Sequence, residues 1–379
     1  MNKRLLITST DLMMVQFLIP HVRNLAEHGF EIEIACSEVG GRLNEVREKL
    51  SDVVKAVHEV RLVRSPFSPV NLKGLQDLKR VIDKGQYDLI WTNEPVMGVM
   101  TRLAARHARK RGTKVIYMVH GFHFYKGAPL VNWLLFYPIE KWAGHFCDSV
   151  VTVNREDYAR AQRMGLPDVR YIHGIGINTE RLSRGQNFSD IRSELGLRQD
   201  DFLVLSVGEL NENKNQKTIL RAIASLKDPA VHYLLCGKGD QLEKLQRLAQ
   251  TLGISSRVHF LGYRNDVVDI CRQADVFVMP SHREGLPVAS LEAKYCGLPL
   301  ITSKIRGLED VMEDGVSGYL CEPDDDAGFA EKIRHLKEQP KERSAMGLSN
   351  QESVKPFCVE NTKLEVEEIM RHFLADAYE

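Results

Sequence analysis

The chain has 379 residues, 43% of them hydrophobic and 27% charged, with 51 Lys and Arg balancing 51 Asp and Glu. That is the length of about two globular domains, and the composition excludes disordered, fibrous and disulfide-scaffold classes. Residues 1–180 carry an excess of about six positive charges and the rest an equal negative excess, so an anionic partner is expected for the first half and no nucleic acid for the whole.

At the N-terminus, only Leu5, Leu6 and Ile7 precede the polar Thr8-Ser-Thr-Asp11, too few apolar residues for a secretory core. Nor does any run approach the ~18–20 apolar residues that span a bilayer. The seven cysteines are scattered, without a C-x-x-C or a Cys/His zinc spacing, which fits a reducing cytoplasm. Any work at a membrane would be peripheral, at the inner face.

Short apolar runs then alternate with helical periodicity, the pattern of parallel strands buried by crossover helices. Strands are predicted near Arg4–Thr8, Glu31–Cys36, Leu89–Trp91, Lys114–Val119 and Ser149–Val153, with a helix over Ile19–His28 stopped by Gly29. A second set begins at Phe202–Val207 and continues through His232–Cys236, Val258–Leu261, Val276–Pro280 and Pro299–Thr302. The fold class is therefore α/β, with two doubly wound parallel-sheet domains. Domain boundaries are read as 1–180 and 181–356, with a hinge in the polar stretch Asn178–Asp190. Residues 357–379 form a helical stripe expected to pack back on the first domain.

Residues able to do chemistry cluster after strands. Val119-His120-Gly121-Phe-His123-Phe-Tyr125-Lys126 follows one, and Ser206-Val-Gly208-Glu209-Leu-Asn-Glu-Asn-Lys214 another. Next come Cys236-Gly237-Lys-Gly-Asp240, then Phe260-Leu-Gly-Tyr263-Arg264-Asn265, then Met279-Pro-Ser-His-Arg-Glu284-Gly285-Leu286-Pro-Val288 running to Glu292. Ligands of open α/β sheets bind at the carboxyl ends of strands, where glycines admit close backbone approach and helix N-termini favour phosphate. Glu284 and Glu292 share one face if the helix starts at the loop. Phe122 to Trp142 is rich in aromatic and aliphatic residues, and Arg102, Arg106, Arg109, Lys110 and Arg111 form a basic cluster; the stretch reads either as helix core or, together with the cluster, as a membrane-facing surface.

Glu284 and Glu292 resemble the E-x7-E element of glycosyltransferase family 4, and the two glycine loops and the Phe260–Asn265 segment fall in that family's order. The resemblance covers nearly the whole chain and implies the GT-B fold, two Rossmann-like domains facing across a cleft. It implies a retaining, metal-independent transferase with no cofactor beyond its nucleotide-diphosphate sugar donor, expected to be UDP-linked. His120, Glu284 and Lys214 take catalytic roles. Donor binding falls to Gly208, Glu209, Lys214, Gly237, Tyr263, Arg264, Glu284, Gly285, Leu286, Val288 and Glu292, and the acceptor side to Thr10, His123, Tyr125 and Lys126. Family members usually carry Arg where this chain has Glu209; either another residue, such as Arg283 or Lys238, compensates, or Glu209 faces away. The loop after the first strand and Phe136-Tyr-Pro-Ile-Glu-Lys-Trp142 look like the capsule and exopolysaccharide subgroup, which implies a polyprenyl-diphosphate-linked or soluble glycan acceptor. The rival readings are a non-hydrolysing nucleotide-sugar epimerase and a non-catalytic nucleotide-sugar-binding subunit.

Overall fold

The computed structural model describes residues 3–183 and 190–375. It divides into two compact units. One joins residues up to Gly176 with those from Val359 onward, and the other is Ile177–Cys358.

The first unit is a seven-stranded parallel sheet of β1 (Lys3–Thr10), β2 (Phe30–Ser37), β3 (Val54–Glu59), β4 (Leu89–Asn93), β5 (Lys114–Val119), β6 (Ser149–Thr152) and β7 (Val169–Tyr171), in the order β3-β2-β1-β4-β5-β6-β7. The central strands read as unbroken apolar runs because helices cover both faces; Leu5, Leu6, Ile7, Ile90 and Trp91 are fully buried. Strand order reverses between β1 and β4. There, successive crossovers leave for opposite faces and open a crevice at the carboxyl edge. β3 went unpredicted because it is an outer strand, partly exposed along its length, and VKAVHE lacks an apolar run.

The second unit repeats the logic with six parallel strands: β8 (Phe202–Val207), β9 (Val231–Cys236), β10 (Val258–Gly262), β11 (Val276–Met279), β12 (Leu300–Ser303) and β13 (Gly318–Cys321), ordered β10-β9-β8-β11-β12-β13. Here the reversal lies between β8 and β11. β13 was also unpredicted, since its four residues, GYLC, open on a glycine. The expected hinge is in part helical, over Thr179–Ser183, while 184–189 lie outside the described residues.

The terminal helix Val359–Ala375 belongs to the first unit. Its Glu365 accepts from the His173 backbone N–H at 2.9 Å and pairs with His173 Nδ1 at 2.6 Å, and Glu367 accepts from Asn24 Nδ2 at 3.0 Å.

One expectation fails outright: Arg102 is no part of a surface cluster. Its side chain is fully buried, donates to Glu140 at 2.7 Å and lies 3.9 Å over the Tyr117 ring, whose hydroxyl also donates to Glu140. Helical spacing with Arg106 and Arg109 gave no hint of this, because the face is covered by the helix Leu130–Gly144 that carries Glu140. Arg109 is likewise engaged, donating twice to Asp148 at 2.8 and 2.9 Å. The helix Leu130–Gly144 in turn leaves Leu130, Val131, Leu134, Leu135, Ile139 and Trp142 exposed.

Candidate functional site

In the second unit, the loops after β8, β9, β11 and β12 meet at the strand reversal. The two glycine loops interlock. Gly208 N–H donates to the Cys236 carbonyl at 2.9 Å and Leu210 N–H to the Lys238 carbonyl at 2.9 Å. Gly237, at φ 153°, packs so closely that a Cβ there would lie 1.8 Å from the Gly208 carbonyl oxygen. Only glycine fits that position.

The β8 loop is also tied to the β11 loop. Asn213 Nδ2 donates to the Arg283 carbonyl at 2.9 Å, and His282 N–H to the Asn213 carbonyl at 2.8 Å. These ties bring Lys214 Nζ to 2.7 Å from Glu284 Oε1, with both side chains mostly buried. The expected diphosphate cation and the expected sugar-binding carboxylate are thus paired with each other. From the β12 loop, the largely buried Arg306 donates through Nε to the Glu284 carbonyl at 3.3 Å. Gly307, at φ 81°, comes so near that a Cβ would stand 2.4 Å from the Gly285 carbonyl. Among the described residues, neither the Gly285 nor the Leu286 N–H donates to another residue, so both remain available to an anion.

The helix does not start at Glu284 as expected. It spans Val288–Tyr295 with Pro287 as N-cap, because the residue before a proline is driven out of helical backbone. Glu284, Gly285 and Leu286 are therefore loop residues, and only Glu292 is helical; the side chains of Leu286 and Val288 pack against the core cluster containing Leu291. Glu292 is paired with Arg181 from the helix Thr179–Ser183. Burial raises its carboxyl above the usual range, opposed by Arg181. Two residues on, Lys294 is buried, donates to the Val311 carbonyl, and is lowered by burial to about 8.

The remaining donor-side residues divide. Tyr263, after β10, is 72% exposed and offers an open ring. Arg264 is spent: it makes two hydrogen bonds each to Glu194 and Asp266, all between 2.7 and 2.9 Å. Glu209 is exposed and accepts from Asn211 Nδ2 at 3.0 Å. Lys238 and Arg283, the suggested substitutes for the missing arginine, are both exposed on the adjoining loops.

In the first unit, Thr10 and His120 stand at the carboxyl ends of β1 and β5. His120 is lowered to about 4 by burial and the neighbouring His21, so its ring is neutral at physiological pH. His120 Nε2–H donates to Asn93 Oδ1 at 3.1 Å, which leaves Nδ1 as the acceptor. Thr10 is held by Glu94, which accepts from its N–H at 2.7 Å and its hydroxyl at 3.0 Å. Glu94 adopts φ 67°, ψ 152°, a region populated almost wholly by glycine and found in ordered proteins chiefly at functional sites. His123 lies against Phe136, with ring centroids 4.7 Å apart and the rings tilted by 32°, and with Thr10, Glu94 and Gly121 lines a cavity. Tyr125 and Lys126 lie outside it; the Lys126 N–H donates to Glu156.

Sequence reasoning missed Arg181, Arg306, Asn93 and Glu94. The position of Glu94 straight after a buried strand was the available signal for that residue. Arg181 and Arg306 sit in segments without pattern and gave none.

Residues 187–352 match the model for glycosyl transferases group 1, and residues 16–181 that for Glycosyltransferase Family 4. The chain is 38% identical to EpsD of Bacillus subtilis (strain 168), named as a glycosyltransferase, over 99% of this chain and 98% of that one. It is 29% identical to the UDP-Gal:alpha-D-GlcNAc-diphosphoundecaprenol alpha-1,3-galactosyltransferase of Escherichia coli, over 80% and 79%. Among solved structures, HepE of Anabaena in complex with UDP and glucose shares the fold at TM-score 0.77 and 20% identity, covering 98% of this chain and all of that one.

The glycine interlock makes a sharp expectation. Gly237→Ala must push the β8 loop away and should weaken binding of UDP, the donor nucleotide expected from the sequence, about tenfold or more in calorimetric titration. Gly253→Ala is the control, since Gly253 shares a positive φ but has open space around its Cβ position; equal effects of the two would contradict the interlock.

Proposed function

Given that the chain belongs to glycosyltransferase family 4, with two Rossmann-like units of the GT-B type, we propose that it is a retaining transferase. It would move a sugar from a UDP-linked donor to a saccharide on a polyprenyl diphosphate. The observation that carries the donor half is the Lys214–Glu284 pair at the β8/β11 reversal, between the glycine interlock and the open Gly285 and Leu286 amides. Names of similar proteins support the substrates: one is described with UDP and glucose, another by transfer to a diphosphoundecaprenol-linked sugar.

On this reading the diphosphate meets Lys214 and the loop amides, the ribose hydroxyls meet Glu292, the base lies on Tyr263, and Glu284 holds the sugar. As the bond from the anomeric carbon to the phosphate oxygen breaks, negative charge grows on the diphosphate, and a fixed ammonium with aimed N–H groups lowers that barrier. The acceptor hydroxyl bonds to the anomeric carbon on the face the phosphate leaves. Its proton passes to the departing phosphate oxygen, which balances the step without a protein nucleophile. By the family resemblance, His120 contacts the donor sugar, its neutral ring offering Nδ1 to a hydroxyl.

The acceptor's lipid places this work at a membrane surface. Among the described residues no helix is long and apolar enough to cross one. Docking falls to the exposed apolar face of the helix Leu130–Gly144, with Lys141 and Arg106 beside it, rather than to an arginine cluster, since Arg102 and Arg109 are held by Glu140 and Asp148.

Two outcomes follow for purified protein. With a panel of nucleotide sugars and prenyl-linked saccharides read by mass spectrometry, Lys214→Ala should lose about a hundred- to thousandfold in kcat/KM, and transfer should persist in EDTA. An unchanged kcat/KM, or loss in EDTA restored by manganese, would reject the lysine-based account. In sedimentation with anionic liposomes, the double variant Leu134→Glu, Trp142→Glu should pellet much less than the parent, and salt should release the parent only in part. Equal pelleting would reject the helix as the docking face.

A further inference from the structure

Beside the β1/β4 reversal the first unit encloses a cavity of about 490 Å³. Its walls are Val96, Val99 and Met100 from the helix Pro95–Ala104, Phe122 and Phe124 from the segment after β5, and Phe136 from the helix Leu130–Gly144. Away from the strand ends, where Thr10 and the Ser37 hydroxyl, unpartnered among the described residues, line it, two polar groups reach the wall, Glu140 and Tyr117, and both are satisfied, by Arg102 at 2.7 Å and by each other at 3.1 Å. The interior therefore suits hydrocarbon, because a polar occupant would lose its hydration without recovering hydrogen bonds.

Its ends differ. One is polar, with Thr10, Glu94 and His123. Arg64 stands there with 58% of its side chain exposed, 4.0 Å from a Glu94 carboxylate already accepting from Ser9 and Thr10. The other end is apolar, where Ile139 and Trp142, both exposed, belong to the apolar face of the helix Leu130–Gly144. An occupant must join an anionic or sugar-bearing head to a tail that exits onto a lipid-compatible surface. A docking helix, about 10 Å across with its side chains, does not fit so small a space.

We propose that this cavity receives the first isoprene units of a prenyl-diphosphate acceptor, with Arg64 meeting the diphosphate at the polar mouth. The assignment rests on the acceptor reading above and adds a tail-binding subsite to it. Selection then acts on the lipid as well as on the sugar, since a bare saccharide leaves the cavity empty.

The test is binding of farnesyl diphosphate by calorimetry, beside inorganic pyrophosphate, to the parent, to Val99→Trp, which fills the cavity, and to Ile139→Asp, which places a charge at its exposed rim. Thermal melting confirms that each variant is folded, and Ile139→Asp carries the test if Val99→Trp is not. Farnesyl diphosphate should bind at least tenfold tighter than pyrophosphate, and either substitution should remove most of that advantage. A benzophenone-bearing prenyl diphosphate should crosslink to peptides spanning Pro95–Ala104 or Leu130–Gly144. Equal binding of the two probes, indifference to both substitutions, or crosslinks confined to other peptides would overturn the subsite. UDP titration of the same preparations separates the two readings: prenyl binding without UDP binding sinks the donor assignment and leaves the cavity assignment standing, and the reverse sinks the cavity alone.

Discussion

The ion pair between Lys214 and Glu284 exists because β8 and β11 are neighbours at the point where strand order reverses. Their loops leave toward opposite faces, and the gap between them is where two long side chains can meet without crossing a helix. The 2.7 Å contact keeps a largely buried cation and anion compensated by each other. Around it, Gly237 and Gly307 let the backbones of four loops approach so closely that any Cβ at either position would clash with the facing main chain. The site is thus held by close main-chain packing, with the charged groups added on top.

The first unit uses the same reversal differently. There Glu94 takes a backbone conformation that normally belongs to glycine and spends its carboxylate on Thr10. His120 is kept neutral by burial, and Asn93 fixes which ring nitrogen carries the proton. On the proposed reading, one reversal serves a charged diphosphate and the other hydroxyls above an apolar cavity. A common sheet topology accommodates both because the loops, not the strands, supply the chemistry.

How much could be read in advance depended on how local the cause was. The buried strands from β8 to β12 announce themselves as apolar runs, and the glycine loops and the two glutamates lie in short segments whose order is informative. What escaped was set by distant partners. Arg102 looked like one of a row of surface arginines, and only Glu140, 38 residues on, makes it a core residue. Arg264 was assigned to the donor, yet Glu194, 70 residues away, helps to occupy its guanidinium. Pro287 did carry a local signal against a helix at Glu284, which the spacing of the two glutamates obscured. β3 and β13 were missed because an outer strand needs no continuous apolar run.

The central claim is that Lys214 exchanges Glu284 for the donor's diphosphate, so that the two residues act in opposite senses on the bare nucleotide. Calorimetric titration of UDP into the parent, Lys214→Ala and Glu284→Gln tests this without any acceptor or transfer. Glu284→Gln should bind UDP as tightly as the parent or up to about tenfold tighter, because the ammonium no longer has to give up a carboxylate, while Lys214→Ala should bind it at least tenfold more weakly. If both substitutions weakened UDP binding alike, the pair would be a structural clasp between the two loops and not the diphosphate site.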